Sequence, residues 1–117
     1  DFLFVTDKER LQQVLINFLT NAEKHTVRGE IHLHCSLTEN PGYVTFSVTD
    51  TGTGIPPEYS ETIFERFEKA DNFGQGTGLG LNICRLIAER LKGKVLLDKE
   101  YKEGARFVFV LPVKKSI

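Results

Sequence analysis

The chain has 117 residues, 40% hydrophobic and 26% charged, with a formal net charge of -1. That length suits one domain with a real core and is too short for two. The near-neutral charge and the lack of a Lys/Arg cluster exclude a strongly basic nucleic-acid binder, and no apolar run approaches the roughly 20 residues of a membrane span. Cys35 and Cys84 are the only two cysteines, which suggests neither a disulfide framework nor a zinc site. A reducing, cytoplasmic setting is the simplest expectation. The chain holds no Met and begins at Asp1, as expected of a piece of a longer protein.

Phe2 to Val5 reads as a short strand, and Thr6-Asp7-Lys8-Glu9 fits the capping box that opens helices. Leu11, Val14, Leu15, Phe18, Leu19 and Ala22 then recur at helical spacing, predicting a helix from about Asp7 to Lys24. Ile31, Leu33, Cys35 and Leu37 alternate with His32, His34 and Ser36, the pattern of a half-buried strand. After the Asn40-Pro41-Gly42 turn, Val44, Phe46 and Val48 alternate as its hairpin partner. Asp50 to Pro57 is loop by composition. Glu58 to Lys69 predicts a short helix burying Ile63, Phe64 and Phe67, and Ala70 to Gly78 is loop again. Leu79, Ile83, Leu86, Ile87 and Leu91 make a second helical stripe, with Gly93 expected as its C-cap. Lys94–Lys99 and Ala105–Pro112 form a last hairpin around Glu103-Gly104. This order predicts an α+β fold, a two-layer sandwich with a mixed, mostly antiparallel sheet of about five strands and three helices on one face.

Four features sit apart from core building. Asn17, Asn21 and Lys24 share one stripe of the first helix, roughly 120° from the apolar stripe at about 100° per residue. Asn is a mediocre helix former, and an amide oxygen is a hard ligand suited to Mg²⁺. A solvated helix face is the plainer reading. Asp50 continues the parity of Val44, Phe46 and Val48 and so points toward the core. A carboxylate there needs a partner: the turn it caps, an ordered water or a ligand's amino group. Gly52 and Gly54 follow it, free to adopt positive φ or to lie close under a flat ligand.

The fourth is Gly74-Gln75-Gly76-Thr77-Gly78-Leu79-Gly80-Leu81, four alternating glycines running into a predicted helix N-terminus. Such a terminus favours phosphate, while a ligand-free glycine hinge is the alternative. The run holds no Gly-x-x-x-x-Gly-Lys-Ser/Thr and no register of Gly-x-Gly-x-x-Gly, so it is neither a Walker loop nor a dinucleotide fingerprint.

Together these segments resemble the catalytic, ATP-binding domain of sensor histidine kinases, in the ATPase superfamily shared with gyrase, Hsp90 and MutL. Leu15 to Thr26 is similar to the N box, Asp50-Thr51-Gly52-Thr53-Gly54-Ile55 to the G1 box, Ile63 to Phe67 to the F box, and Gly76 to Leu81 to the G2 box. All four occur in the family's order. The resemblance implies that Asn21 ligates Mg²⁺ between metal and ATP phosphates, while Asn17 and Lys24 contact phosphate or its hydration as the candidate catalytic groups. It implies that Asp50 accepts the adenine amino group and that Gly52, Gly54 and Ile55 pass beneath the nucleotide; His25 stands where the family often has an aromatic residue facing adenine, and either stacks there or is simply exposed. Gly76, Thr77, Gly78, Leu79, Gly80 and Leu81 would close over the phosphates at the end of a lid running from about Lys69 to Gly78. Phe64 and Phe67 would anchor that lid, with Lys69 and Gln75 as polar lid contacts.

The implied activity is transfer of the ATP γ-phosphate to a histidine on a separate dimerisation domain, for relay to a response regulator's receiver domain. None of His25, His32 and His34 is a phosphoacceptor on this reading, and the first strand is expected to be cut short. ATP and Mg²⁺ are the implied cofactors, with no nucleic-acid or membrane contact by this chain. The alternatives are an ATP-hydrolysing clamp of the gyrase or Hsp90 type and a degenerate nucleotide-binding module. The clamp relatives carry a water-activating Glu one turn before the metal-binding Asn. Asn17 holds that place here, and an amide is no general base at neutral pH.

Overall fold

The structure is a computed structural model describing residues 7–26, 28–37, 39, 41–59, 62–65 and 80–113. The first helix, α1, spans Lys8–His25. Its N-cap is Asp7 rather than Thr6: the Asp7 carboxylate accepts the Arg10 backbone N–H at 3.1 Å, satisfying one of the donors that every helix start leaves open. Val14, Phe18 and Ala22 are buried, with Leu11 and Leu19 packed at the margin, so the apolar stripe read from the sequence is the face that meets the sheet.

Strands β1 (Ile31–Ser36), β2 (Tyr43–Asp50), β3 (Lys94–Leu97) and β4 (Arg106–Pro112) form one sheet in the order β1-β2-β4-β3. Every pairing is antiparallel. The expected mixed character and fifth strand would depend on Phe2–Val5, which lies outside the described residues. Register puts Val44 opposite Leu111, Phe46 opposite Phe109 and Val48 opposite Phe107, so β2 and β4 present one continuous apolar face. Helix α2 (Gly80–Arg90) packs beside α1 over that face. The core centres on Phe107, whose ring lies 5.3 Å from Phe18 and edge-on to Phe64 at 5.9 Å. Aromatic pairs at these separations add to the stabilisation from burial.

Three expectations are corrected. Among the described strands β1 lies at the edge, and although Leu33 faces the same way as Val48, it is 53% exposed. Alternation names the face a residue occupies, not whether another element covers it. The helix expected from Glu58 to Lys69 appears in its described part as two 3₁₀ turns, Pro57–Tyr59 and Thr62–Phe64. Ile63 and Phe64 are buried as expected. Two or three apolar residues are too few to separate a 3.0 from a 3.6 period. At the end of α2, the left-handed residue is Lys92, with φ 66°, and not Gly93. Gly93 N–H closes the cap on the Ala88 carbonyl at 2.8 Å, and Lys92 N–H reaches Glu89 at 3.1 Å. Gly93 is glycine for a different reason: a Cβ there would collide with the Val110 carbonyl where β3 joins β4.

Candidate functional site

At the C-terminal end of β2 the side chain of Asp50 is 1% exposed, the only buried carboxylate among the described residues. Three segments converge on it. From the loop that follows, Gly52 N–H donates to Asp50 Oδ1 at 2.9 Å, a short side-chain-to-backbone turn. From the start of β4, Ala105 N–H donates to the same oxygen at 3.2 Å, while Asp50 N–H donates to the Ala105 carbonyl at 2.8 Å. From the β3–β4 loop, the Tyr101 hydroxyl donates to the Asp50 backbone carbonyl at 3.2 Å. Asp50 therefore does cap the turn after it, and the hydrogen bonds that described residues make to its carboxylate all end on Oδ1. Oδ2 receives none from them.

The glycines around Asp50 are held by close backbone approach. A Cβ on Gly52 would strike the His25 carbonyl, and one on Gly104 would strike the carbonyl of Asp50 itself. Gly54 has φ 76°, a conformation that L side chains rarely adopt. The loop after Asp50 is thus pressed against the end of α1, where Thr53 N–H also donates to the His25 carbonyl at 3.2 Å. Ile55 packs against the core from this loop.

On α1, Asn17 and Asn21 are partly buried and Lys24 is exposed. Asn17 donates its side-chain N–H to the Gly80 carbonyl at 3.2 Å and approaches Cys84 Sγ at 3.6 Å, joining α1 to the first turn of α2. Among the described residues nothing hydrogen-bonds the Asn21 amide. His25 is half-buried, and burial lowers its pKa below the ordinary 6.5; the Asp50 charge opposes that shift and Lys24 adds to it. At Cys84, burial pushes the thiol up to about 12, with the Asn17 hydrogen bond pulling the other way. Gly80 opens α2, and a Cβ there would meet nothing within 4 Å. Leu81, next to it, packs at the edge of the core.

The structure therefore brings Asp50, Gly52, Gly54 and Ile55 together with His25, and Asn17 together with Gly80. Phe67, Lys69, Gly76, Thr77, Gly78 and Leu79 lie outside the described residues, as does Gln75. Sequence reasoning missed Tyr101, Gly104 and Ala105, which complete the surroundings of Asp50. Glu103-Gly104 carried a signal, but one read only as a hairpin turn. It also missed Asn82, a buried amide on α2 that donates to the Phe64 carbonyl at 3.3 Å and so fixes the 3₁₀ turn against that helix.

Residues 6–115 match the family described as "Histidine kinase-, DNA gyrase B-, and HSP90-like ATPase". The chain belongs to that family. It is 40% identical over 111 residues to the sensor protein SrrB of Staphylococcus aureus, an alignment covering 91% of this chain and 19% of SrrB. The chain thus spans about a fifth of the length of that curated relative. Among solved structures, full-length ShkA in complex with AMPPNP superposes with a TM-score of 0.85 at 38% identity, over 97% of this chain and 23% of ShkA. The mycobacterial sensor histidine kinase MprB gives a TM-score of 0.82 at 28% identity, over 97% of this chain and 76% of that one. Within the family, the chain is a histidine kinase ATP-binding domain with the α+β sandwich of its relatives. No helix among its described residues is long and apolar enough to cross a membrane.

Proposed function

We propose that this domain binds Mg-ATP and donates the γ-phosphate to a histidine on a separate dimerisation domain, for relay to an aspartate of a response regulator. The observation that carries the reading is Asp50. A carboxylate 1% exposed is costly without partners, and the protein supplies donors to Oδ1 alone among its described residues. An exocyclic amino group, as on adenine, is the complementary donor for Oδ2.

The rest of the site supports a triphosphate on the α1–α2 side. Asn21 presents an amide with no described partner, and its oxygen is a hard ligand that fits Mg²⁺. Asn17 spends its N–H on Gly80, which leaves its oxygen for phosphate hydration. Lys24, one turn beyond Asn21, brings a positive charge to the same stripe. Gly80 has open space where a Cβ would be, so packing among the described residues does not account for the glycine, whereas close approach of phosphate oxygens does. A bound Mg²⁺ would neutralise charge on the triphosphate. Because the Asn17 position offers an amide and no general base, positioning for transfer is favoured over activation of water. The solved relative ShkA was captured with AMPPNP. The domain would act in the cytoplasm.

Calorimetric titration with ADP and AMPPNP, with and without Mg²⁺, tests the reading beside Asp50→Asn. Asn keeps an oxygen for Gly52 and Ala105 but turns an N–H₂ toward the ligand's amino group. The expected result is saturable binding by the wild type and at least a roughly tenfold loss in the variant, the scale of one charge-assisted hydrogen bond. No heat from a folded wild type with either nucleotide would overturn it.

A further inference from the structure

The β2–β4 ladder ends at the pair Thr49 and Arg106, so Asp50 is the first β2 residue without a β4 partner in register. Its position on that side depends on the β3–β4 loop. Asp98 organises this loop: its Oδ1 accepts Glu100 N–H at 3.0 Å, and its N–H donates to the Arg106 carbonyl at 2.9 Å. Tyr101 then turns back and donates its hydroxyl to the Asp50 carbonyl. The ring is itself held. The Arg106 guanidinium carbon lies 4.4 Å from the ring centroid, its Nη1 donates to Asp98 Oδ2 at 3.2 Å and its Nε to Thr49 Oγ1 at 3.0 Å. One guanidinium thus joins the residue preceding Asp50 to the tyrosine that grips Asp50, and a planar fork over an aromatic face is an arrangement that Lys cannot reproduce.

We propose that Tyr101, backed by Arg106, is a positioning residue that aims the Asp50 carboxylate and thereby sets discrimination between a 6-amino purine and a 6-oxo purine. This deepens the reading of Asp50 as the adenine partner and rests on it. On this proposal the Tyr101 hydroxyl acts through the Asp50 backbone carbonyl, to which it donates. It removes rotational slack from the Asp50 backbone, so that Oδ2 meets an amino donor in line. A looser Asp50 loses strength in that one directional bond, while contacts made elsewhere along the nucleotide are unaffected.

The test is titration of the 117-residue chain with ADP and with IDP, which carries an oxygen in place of the adenine amino group, for the wild type, Tyr101→Phe and Arg106→Lys. Tyr43→Phe, at the far end of β2, controls for loss of a phenol. Thermal midpoints are measured alongside. Tyr101→Phe keeps the ring under Arg106 and is expected to weaken ADP binding by roughly fivefold with IDP affinity unchanged, so that selectivity narrows by the same factor. Arg106→Lys is expected to move in the same direction, and Tyr43→Phe to leave both affinities as they are. Unchanged selectivity in Tyr101→Phe, or equal losses of ADP and IDP affinity, overturns the positioning role while leaving the adenine pocket standing. A wild type that binds neither nucleotide, or both equally, overturns the adenine reading and this proposal with it.

Discussion

Asn17 on α1 donates its side-chain amide to the carbonyl of Gly80, the residue that opens α2, across 63 positions of sequence. The same nitrogen approaches Cys84 one turn further along α2. A residue proposed to serve phosphate therefore also links the two helices, the donor end of its amide holding α2 and the oxygen end being the one proposed for the nucleotide.

Substitution separates those tasks. Asn17→Asp keeps the oxygen and removes the donor, leaving the Gly80 carbonyl facing a carboxylate. It is expected to cost about 1 kcal/mol of stability, the net worth of a partly exposed hydrogen bond, and to lower the thermal midpoint by about 5 °C for a domain of this size. Nucleotide affinity should fall as well, because negative charge is added beside the triphosphate. Thermal melts read by circular dichroism check the first effect. An unchanged midpoint would mean that the link to α2 carries no weight.

The glycines divide the same way. Gly52→Ala would drive a Cβ into the His25 carbonyl, a backbone atom that cannot step aside, so the loop after Asp50 should shift and both stability and ADP binding should drop. Gly80→Ala meets nothing within 4 Å, and alanine is the better helix former, so stability should hold or rise by about 0.5 kcal/mol. Its ADP and AMPPNP affinities should nonetheless fall, since the methyl group would occupy space left for phosphate. Parallel melts and titrations decide the matter, and unimpaired AMPPNP binding by Gly80→Ala would detach that glycine from the site.

Burial lowers the pKa of His25 below 6.5 in the folded state. Below pH 6.5 the unfolded chain then binds a proton at this position that the folded chain resists, so the linked contribution is complete above pH 6.5 and is lost as pH falls from there through the folded pKa. Wild type should lose more of its thermal midpoint between pH 7.5 and 5.5 than His25→Gln does. Equal losses in the two proteins would show that this imidazole is not responsible.

Most of the architecture was readable because it rests on period and parity. The α1 stripe needed only spacing at 3.6 residues, and the apolar faces of β2 and β4 needed only alternation, whereas the pairing of Val48 with Phe107 came from the sheet order, which alternation does not specify. Asp50 was legible as a site residue for the same reason, since its parity placed a carboxylate among apolar neighbours. What escaped were contacts that depend on where distant segments end up. Leu33 has the parity of a core residue, yet it lies on the edge strand of the described sheet and is exposed. Gly93 has the place of a helix cap, yet Lys92 takes the left-handed turn while Gly93 makes room for Val110.

Spacing and alternation alone were enough for the α+β class, the apolar faces, the order of four motifs and the choice of Asp50 as a candidate site carboxylate. Those properties are local, set by spacing along a few turns of helix or a few residues of strand. How Asp50 is held is a matter of packing between distant segments. Ala105, Tyr101 and the room left by Gly104 come from 51 to 55 residues further along the chain and carry no pattern in common with it. Hydrogen bonds of that range exist only once packing has brought β4 beside β2, and no periodicity in the chain encodes them.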